Sequence, residues 1–149
     1  MNFKRAVGLS VLAYFASFVI GIAVAVVAGI DVAETQAIPP LMWYAGAIAA
    51  IVFAVVFTRW YFRSPTVVPS AKAGFLFGLT MVVTGFVLDV VMLLPLLAHD
   101  DPWTPILAYY FNPFFLLTLV FVISATTYVG KHLGSRQQRT SLPANQEIT

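Results

Sequence analysis

Apolar residues fall along this chain in four long runs, Ala6 to Ile30, Leu41 to Phe62, Ala71 to Leu97 and Ile106 to Gly130, each 22 to 27 residues in length. At about 1.5 Å of rise per residue, every run makes a helix long enough to cross the ~30 Å hydrocarbon core of a bilayer. The runs are apolar on all sides. A membrane β-barrel would instead show strands of about 10 residues alternating polar with apolar. The pattern predicts an all-α polytopic membrane protein, an antiparallel four-transmembrane-helix bundle over residues 1–130.

The connections are short and polar: Asp31 to Pro40, Arg63 to Ser70, and Ala98 to Pro105. Loops of this length make sequence neighbours pack antiparallel as hairpins. Helix-start signals fall at the loop ends, as Pro39 and Pro40 before the second span, Ser70 before the third, and Thr104 followed by Pro105 before the fourth. Pro40-Leu41-Met42-Trp43-Tyr44 and Pro105-Ile106-Leu107-Ala108-Tyr109 echo each other 65 residues apart. Each opens the returning helix of a hairpin, and proline followed by aromatics is also a common interfacial entrance.

Composition agrees with a lipid solvent. The chain is 60 % hydrophobic and 9 % charged, with a mean hydropathy of +0.91, whereas a soluble domain carries about 25 % charge. Too little charge remains to cover a soluble surface. Absence of cysteine excludes disulfides, thiolate metal sites and thiol chemistry. The net charge of +2 is accompanied by no nucleic-acid motif.

Charge placement predicts the orientation. Lys4 and Arg5 precede the first span, Arg59, Arg63 and Lys72 surround the second loop, and Lys131, Arg136 and Arg139 follow the fourth. The opposite loops hold Asp31, Glu34, Asp100 and Asp101 without a Lys or Arg. Because cytoplasmic loops retain basic residues, both termini are expected in the cytoplasm of a prokaryotic cell, with the protein in its cytoplasmic membrane. Trp43, Tyr44, Trp103, Tyr109 and Tyr110 then form an outer aromatic belt, and Trp60, Tyr61 and Tyr128 an inner one. Lys4, Arg5 and the Ala23-Val24-Ala25 stretch also fit a cleaved signal peptide, but the apolar run is about twice the usual length of such a segment. Residues 131–149 turn polar and read as a disordered basic cytoplasmic tail lying near anionic headgroups.

Helices in lipid associate through small residues and interhelical hydrogen bonds. Ser17 and Gly21 recur at four-residue spacing in the first span, and Gly74 and Gly78 form a GxxxG pair in the third, with Gly85 one heptad beyond. At about 100° per residue the three glycines fall within roughly 40° of one another, and Asp89 lies about 60° from Gly74. This face serves packing inside the bundle or the seam of a homodimer.

Asp89 is the one ionisable group deep within any span. An ionised Asp at a helix centre costs about 2.5–3.5 kcal/mol even on the lower scales, so it should face protein or water. It lies about 12 Å below the outer end of its helix, and Asn112 lies about 10 Å deep on the next one. The two are level across the hairpin. Pro113 also removes the i+4 donor of the Tyr109 carbonyl. A polar pocket of Asp89, Asn112 and Tyr109, joined by Tyr14 or Ser17 if the first span lies alongside, is therefore expected. It either locks two helices through an Asp–Asn contact or binds a proton or cation.

Signatures of intramembrane enzymes are missing. The spans hold no carboxylate pair, no Ser with a His at matching depth, no His pair and no acid cluster for metal-assisted chemistry. No enzyme, cofactor or metal is expected; His99, Asp100 and Asp101 belong to an acidic outer loop. Gly74-Phe75-Leu76-Phe77-Gly78-Leu79, followed by Leu88-Asp89-Val90, resembles the glycine-then-Leu-Asp helix of small four-helix prokaryotic membrane proteins grouped as domains of unknown function. The resemblance covers the third span and otherwise only hairpin order and length. It implies the fold and the membrane and supplies no activity. The expected role is a small interaction or assembly component. A proton- or cation-coupled transporter or channel subunit, working as a homodimer through Asp89, is the alternative. Partners in either case are the lipid bilayer and a second copy or another membrane protein.

Overall fold

The computed structural model describes residues 2–30, 40–96 and 103–141, and these are helical apart from short turns, with no strand among them. The order is α1 (Phe3–Val27), α2 (Pro40–Phe62), α3 (Ala71–Leu96), α4 (Trp103–Tyr110) and α5 (Pro113–Ser141). Four helical stretches are long and apolar enough to cross a membrane: Phe3–Val27, Pro40–Phe62, Ala71–Met92 and Pro113–Arg139. Their outer surfaces expose large apolar side chains on many sides, among them Leu12, Val19 and Val26 on α1 and Val52 and Val56 on α2. Water would not tolerate such a coat; lipid does. This is the pattern of a multi-pass membrane protein.

Each helix end has a local cause. The Asn2 side chain accepts from the Arg5 backbone N–H at 3.2 Å and caps α1. At the other end Gly29 takes φ +63, and Ile30 N–H reaches back to the Ala25 carbonyl at 2.9 Å. Only glycine adopts that left-handed turn without strain, so α1 stops at Val27, three residues short of the apolar run. Ser70 caps α3 by accepting from Ala73 N–H at 3.1 Å. Residues 131–141, expected as disordered tail, continue α5 to Ser141. The Pro69 carbonyl lies close against Gly134, giving this extension a packing partner. Residues 142–149 lie outside the described ones.

Packing makes a ring in which α1 lies against α2 and α3, and α5 lies against the same two helices. The buried core joins Ala6, Leu9 and Ala13 of α1 with Phe57, Tyr61 and Phe62 of α2, Val67 of the connecting loop and Phe77 of α3. Tyr61, expected in an interfacial belt, is fully buried, because its ring stacks on Phe77 at 4.6 Å and its hydroxyl accepts from Asn2 N–H at 3.1 Å. Beside it, Arg5 donates to the Trp60 carbonyl at 2.8 Å. The start of α1 is thereby fastened to the end of α2. The closest helix approach is between α3 and α5: a Cβ on Gly74 would overlap the Thr126 carbonyl, one on Gly78 the Thr126 hydroxyl, and one on Gly130 the Ser70 carbonyl. Hydroxyls inside the helices, such as Ser10, Thr58 and Thr118, donate to carbonyls one turn back, so they leave no buried donor unmet.

Candidate functional site

The fourth apolar run is not one helix. Pro113 has no N–H, so the Tyr109 carbonyl cannot receive its i+4 bond, and the chain breaks at Phe111 and Asn112. Two local bonds repair the break. Asn112 N–H donates to the Tyr109 carbonyl at 3.2 Å, and the Asn112 side-chain oxygen accepts from Phe114 N–H at 2.9 Å. Asn112 is thus the N-cap of α5 with Pro113 at its first position, while α4 stands as a separate short helix.

This break carries α4 to Asp89. The Tyr110 hydroxyl donates to one carboxylate oxygen of Asp89, and the Tyr14 hydroxyl of α1 donates to the other at 2.6 Å. Asp89 on α3 therefore joins three helices through tyrosines. The expected partner was Asn112, whose side-chain oxygen is engaged instead in capping α5. The Tyr109 carbonyl expected to be free is occupied by Asn112 N–H, and Tyr109 enters the site through its ring. It stacks on Trp43 at 5.2 Å, tilts against Phe115 at 4.6 Å and meets Tyr110 edge-on at 5.4 Å. Phe86 meets Tyr110 edge-on at 5.0 Å.

These side chains wall a cavity of about 370 Å³ that draws on all five helices. Asp89, half-buried, is the one charged residue in its lining among the described residues; Ser10, Ser17 and Thr118 add hydroxyls, and Trp43, Phe53, Phe86, Tyr109, Tyr110 and Phe115 add rings. The volume lies within the range of small-molecule sites, about 300–1,000 Å³. Ser17 and Gly85, expected as packing positions, line this cavity, and a Cβ on Gly85 would meet nothing within 4 Å. The bundle is open beside Gly85. Gly21 likewise has open space beside it, in a small groove between α1 and α2. Gly74 and Gly78, by contrast, lie directly on α5 of the same chain.

Sequence reasoning placed Tyr110 and Trp43 in an interfacial belt and missed them as site residues. The signal for Tyr110 was weak: five residues after Pro105 set it about 7.5 Å deep against about 12 Å for Asp89, within reach of a long side chain on the same hairpin. Asp31, Glu34, His99, Asp100 and Asp101 lie outside the described residues. Among the described residues no group of three His, Cys, Asp or Glu side chains is placed to hold a metal. Comparison with protein-family models, with curated proteins and with solved structures finds no match to this chain.

Proposed function

We propose that this chain is a small integral membrane protein whose Asp89 site binds a proton or a cation inside the bilayer, as a subunit of a transporter or channel. The observation that carries this reading is the position of the Asp89 carboxylate, held by hydroxyls from two other helices at the wall of a 370 Å³ cavity. A purely structural lock needs no space beside it. The other reading, a small interaction or assembly component, was expected to carry a buried Asp89–Asn112 contact, and the Asn112 side-chain oxygen accepts from Phe114 N–H instead.

The proposed arrangement in the membrane is an antiparallel bundle with both termini in the cytoplasm of a prokaryotic cell. Two features support it. All eight Lys and Arg residues fall at the ends of the spans where that topology places the cytoplasm. The bonds from Asn2 and Arg5 to Tyr61 and Trp60 also bring the start of α1 to the end of α2. Transport through so small a bundle favours a homodimer, whose contact must lie away from Gly74 and Gly78, since α5 covers them.

Infrared spectroscopy of the protein in lipid, recorded across pH and with added cations, tests the site. The expected result is a carboxyl band that responds to both and disappears in Asp89→Asn. A band unmoved by pH and by every cation overturns the reading.

A further inference from the structure

Resting on the reading of Asp89 as a proton or cation site, we propose that the cavity accepts a monovalent organic ammonium ion with a compact apolar body. The Asp89 carboxylate is its counter-ion, and the rings of Trp43 and Tyr109 are its wall.

Charge selects the class first. Asp89 is the lone charged group of the lining among the described residues, so a ligand of one positive charge neutralises it within a low-dielectric medium. An anion would meet an uncompensated repulsion, and a zwitterion would bring a carboxylate with no partner. Metal ions fit poorly. Calcium requires six to eight oxygen ligands and magnesium near-octahedral geometry, whereas this wall supplies one carboxylate and scattered hydroxyls among rings.

Shape and surface narrow the class further. A proton needs no 370 Å³ of space; a small organic body does. Trp43 and Tyr109 both line the cavity, stacked on each other with 20° between their planes, and aromatic surfaces not covered by the stack attract an ammonium through the ring quadrupole as well as its apolar substituents. The open position of Gly85 keeps this volume clear, because any larger side chain there would project toward it.

Proton and ligand would then compete. A protonated Asp89 offers no charge to the ammonium, and by linkage each lowers the other's affinity. In a transporter such exclusion is the basis of exchange.

Benzyltrimethylammonium is a suitable probe, since its charge is permanent and any pH response comes from the protein, where Asp89→Asn assigns it. The experiment uses the full chain in lipid nanodiscs carrying Trp60→Phe and Trp103→Phe, leaving Trp43 as the sole tryptophan reporter. Saturable quenching by benzyltrimethylammonium is expected, weakening as pH falls, by up to tenfold per unit once the protonated form predominates. Asp89→Asn should weaken it at least tenfold and remove the pH dependence, while Asp89→Glu, which keeps the charge, should retain both. Neopentylbenzene, the uncharged carbon isostere, and phenylacetate should give no saturable signal. Equal binding of the isostere, or binding indifferent to Asp89→Asn, overturns the proposal. A carboxyl band that titrates in the infrared without any saturable response to benzyltrimethylammonium sinks the ligand class and leaves the proton site standing. A band that never responds sinks both.

Discussion

The Tyr14 hydroxyl and the Asp89 carboxylate meet at 2.6 Å across 75 residues of sequence, and Tyr110 reaches the other oxygen of the same carboxylate. One acid therefore ties α1, α3 and α4 together on the wall of the cavity. Removing either hydroxyl leaves the carboxylate with one donor in a poorly hydrated place. Hydrogen bonds to charged groups contribute about 1.5–3 kcal/mol, and the half-buried position reduces this, so Tyr14→Phe and Tyr110→Phe should each lower stability by about 1–2 kcal/mol. Unfolding in mixed micelles measures it. The double variant should depart from additivity because both donors share one acceptor; strict additivity would show that the two bonds do not form together.

The glycines of α3 divide into two kinds. A methyl on Gly74 or Gly78 would overlap Thr126 on α5, with backbone as the obstacle at Gly74. Overpacking of this type costs about 1–3 kcal/mol, so Gly74→Ala should destabilise the bundle and push α3 from α5. Gly85→Ala meets open space. It should leave stability unchanged or raise it by up to about 1 kcal/mol through helix propensity. Side-by-side unfolding of the two variants checks the contrast, and equal losses would contradict the placement of Gly85.

Much of the fold was legible because lipid imposes a coarse rule: a segment of some 20 apolar residues must be helical, and short loops leave few arrangements. The Asp89 position followed from the same rule, since a lone acid cannot face acyl chains. Of its partners, Tyr14 follows once the first span lies alongside, whereas Tyr110 does not. Tyr110 and Tyr109 are adjacent in sequence, and which of them reaches Asp89 depends on the rotation introduced at Phe111 and Asn112. Helical periodicity carried straight through Pro113 conceals that rotation. Asn112 is ambiguous in sequence for a related reason, because its amide can serve a buried partner or cap a helix, and only the location of the break decides. The extension of α5 past Gly130 was hidden by polar composition, which fits a solvated helix as well as a tail. The depth of Tyr61 is visible in the sequence, but its contact with Phe77 is not.

Orientation rests on charge placement and is open to a direct test. Single cysteines at Ser64 and at His99, in a chain that has none of its own, should react with a membrane-impermeant maleimide from opposite sides of the bilayer. Ser64 should be reached only in inverted vesicles or lysed cells, and His99 in intact spheroplasts. Labelling of both from one side would exclude an odd number of crossings between them and with it the hairpin order of α2, α3 and the α4–α5 pair.

The helix break gives the last prediction. Pro113 both withholds a backbone donor and starts α5, while Asn112 supplies the cap, so the two residues make separable contributions. Asn112→Ala removes only the capping bond to Phe114 and should cost about 1 kcal/mol with the break retained. Pro113→Ala restores an N–H that can reach the Tyr109 carbonyl, allowing α4 and α5 to join into one straight helix. Straightening rotates Tyr110 away from Asp89. Pro113→Ala should therefore reproduce the carboxyl infrared signature of Tyr110→Phe, although no group that touches Asp89 has been changed. Spin labels at Leu107 and Leu116, flanking the break, should move to the separation of a continuous helix, about 13–14 Å between backbones at 1.5 Å per residue. An unchanged separation with an altered carboxyl band would place the control of Asp89 elsewhere than in the break.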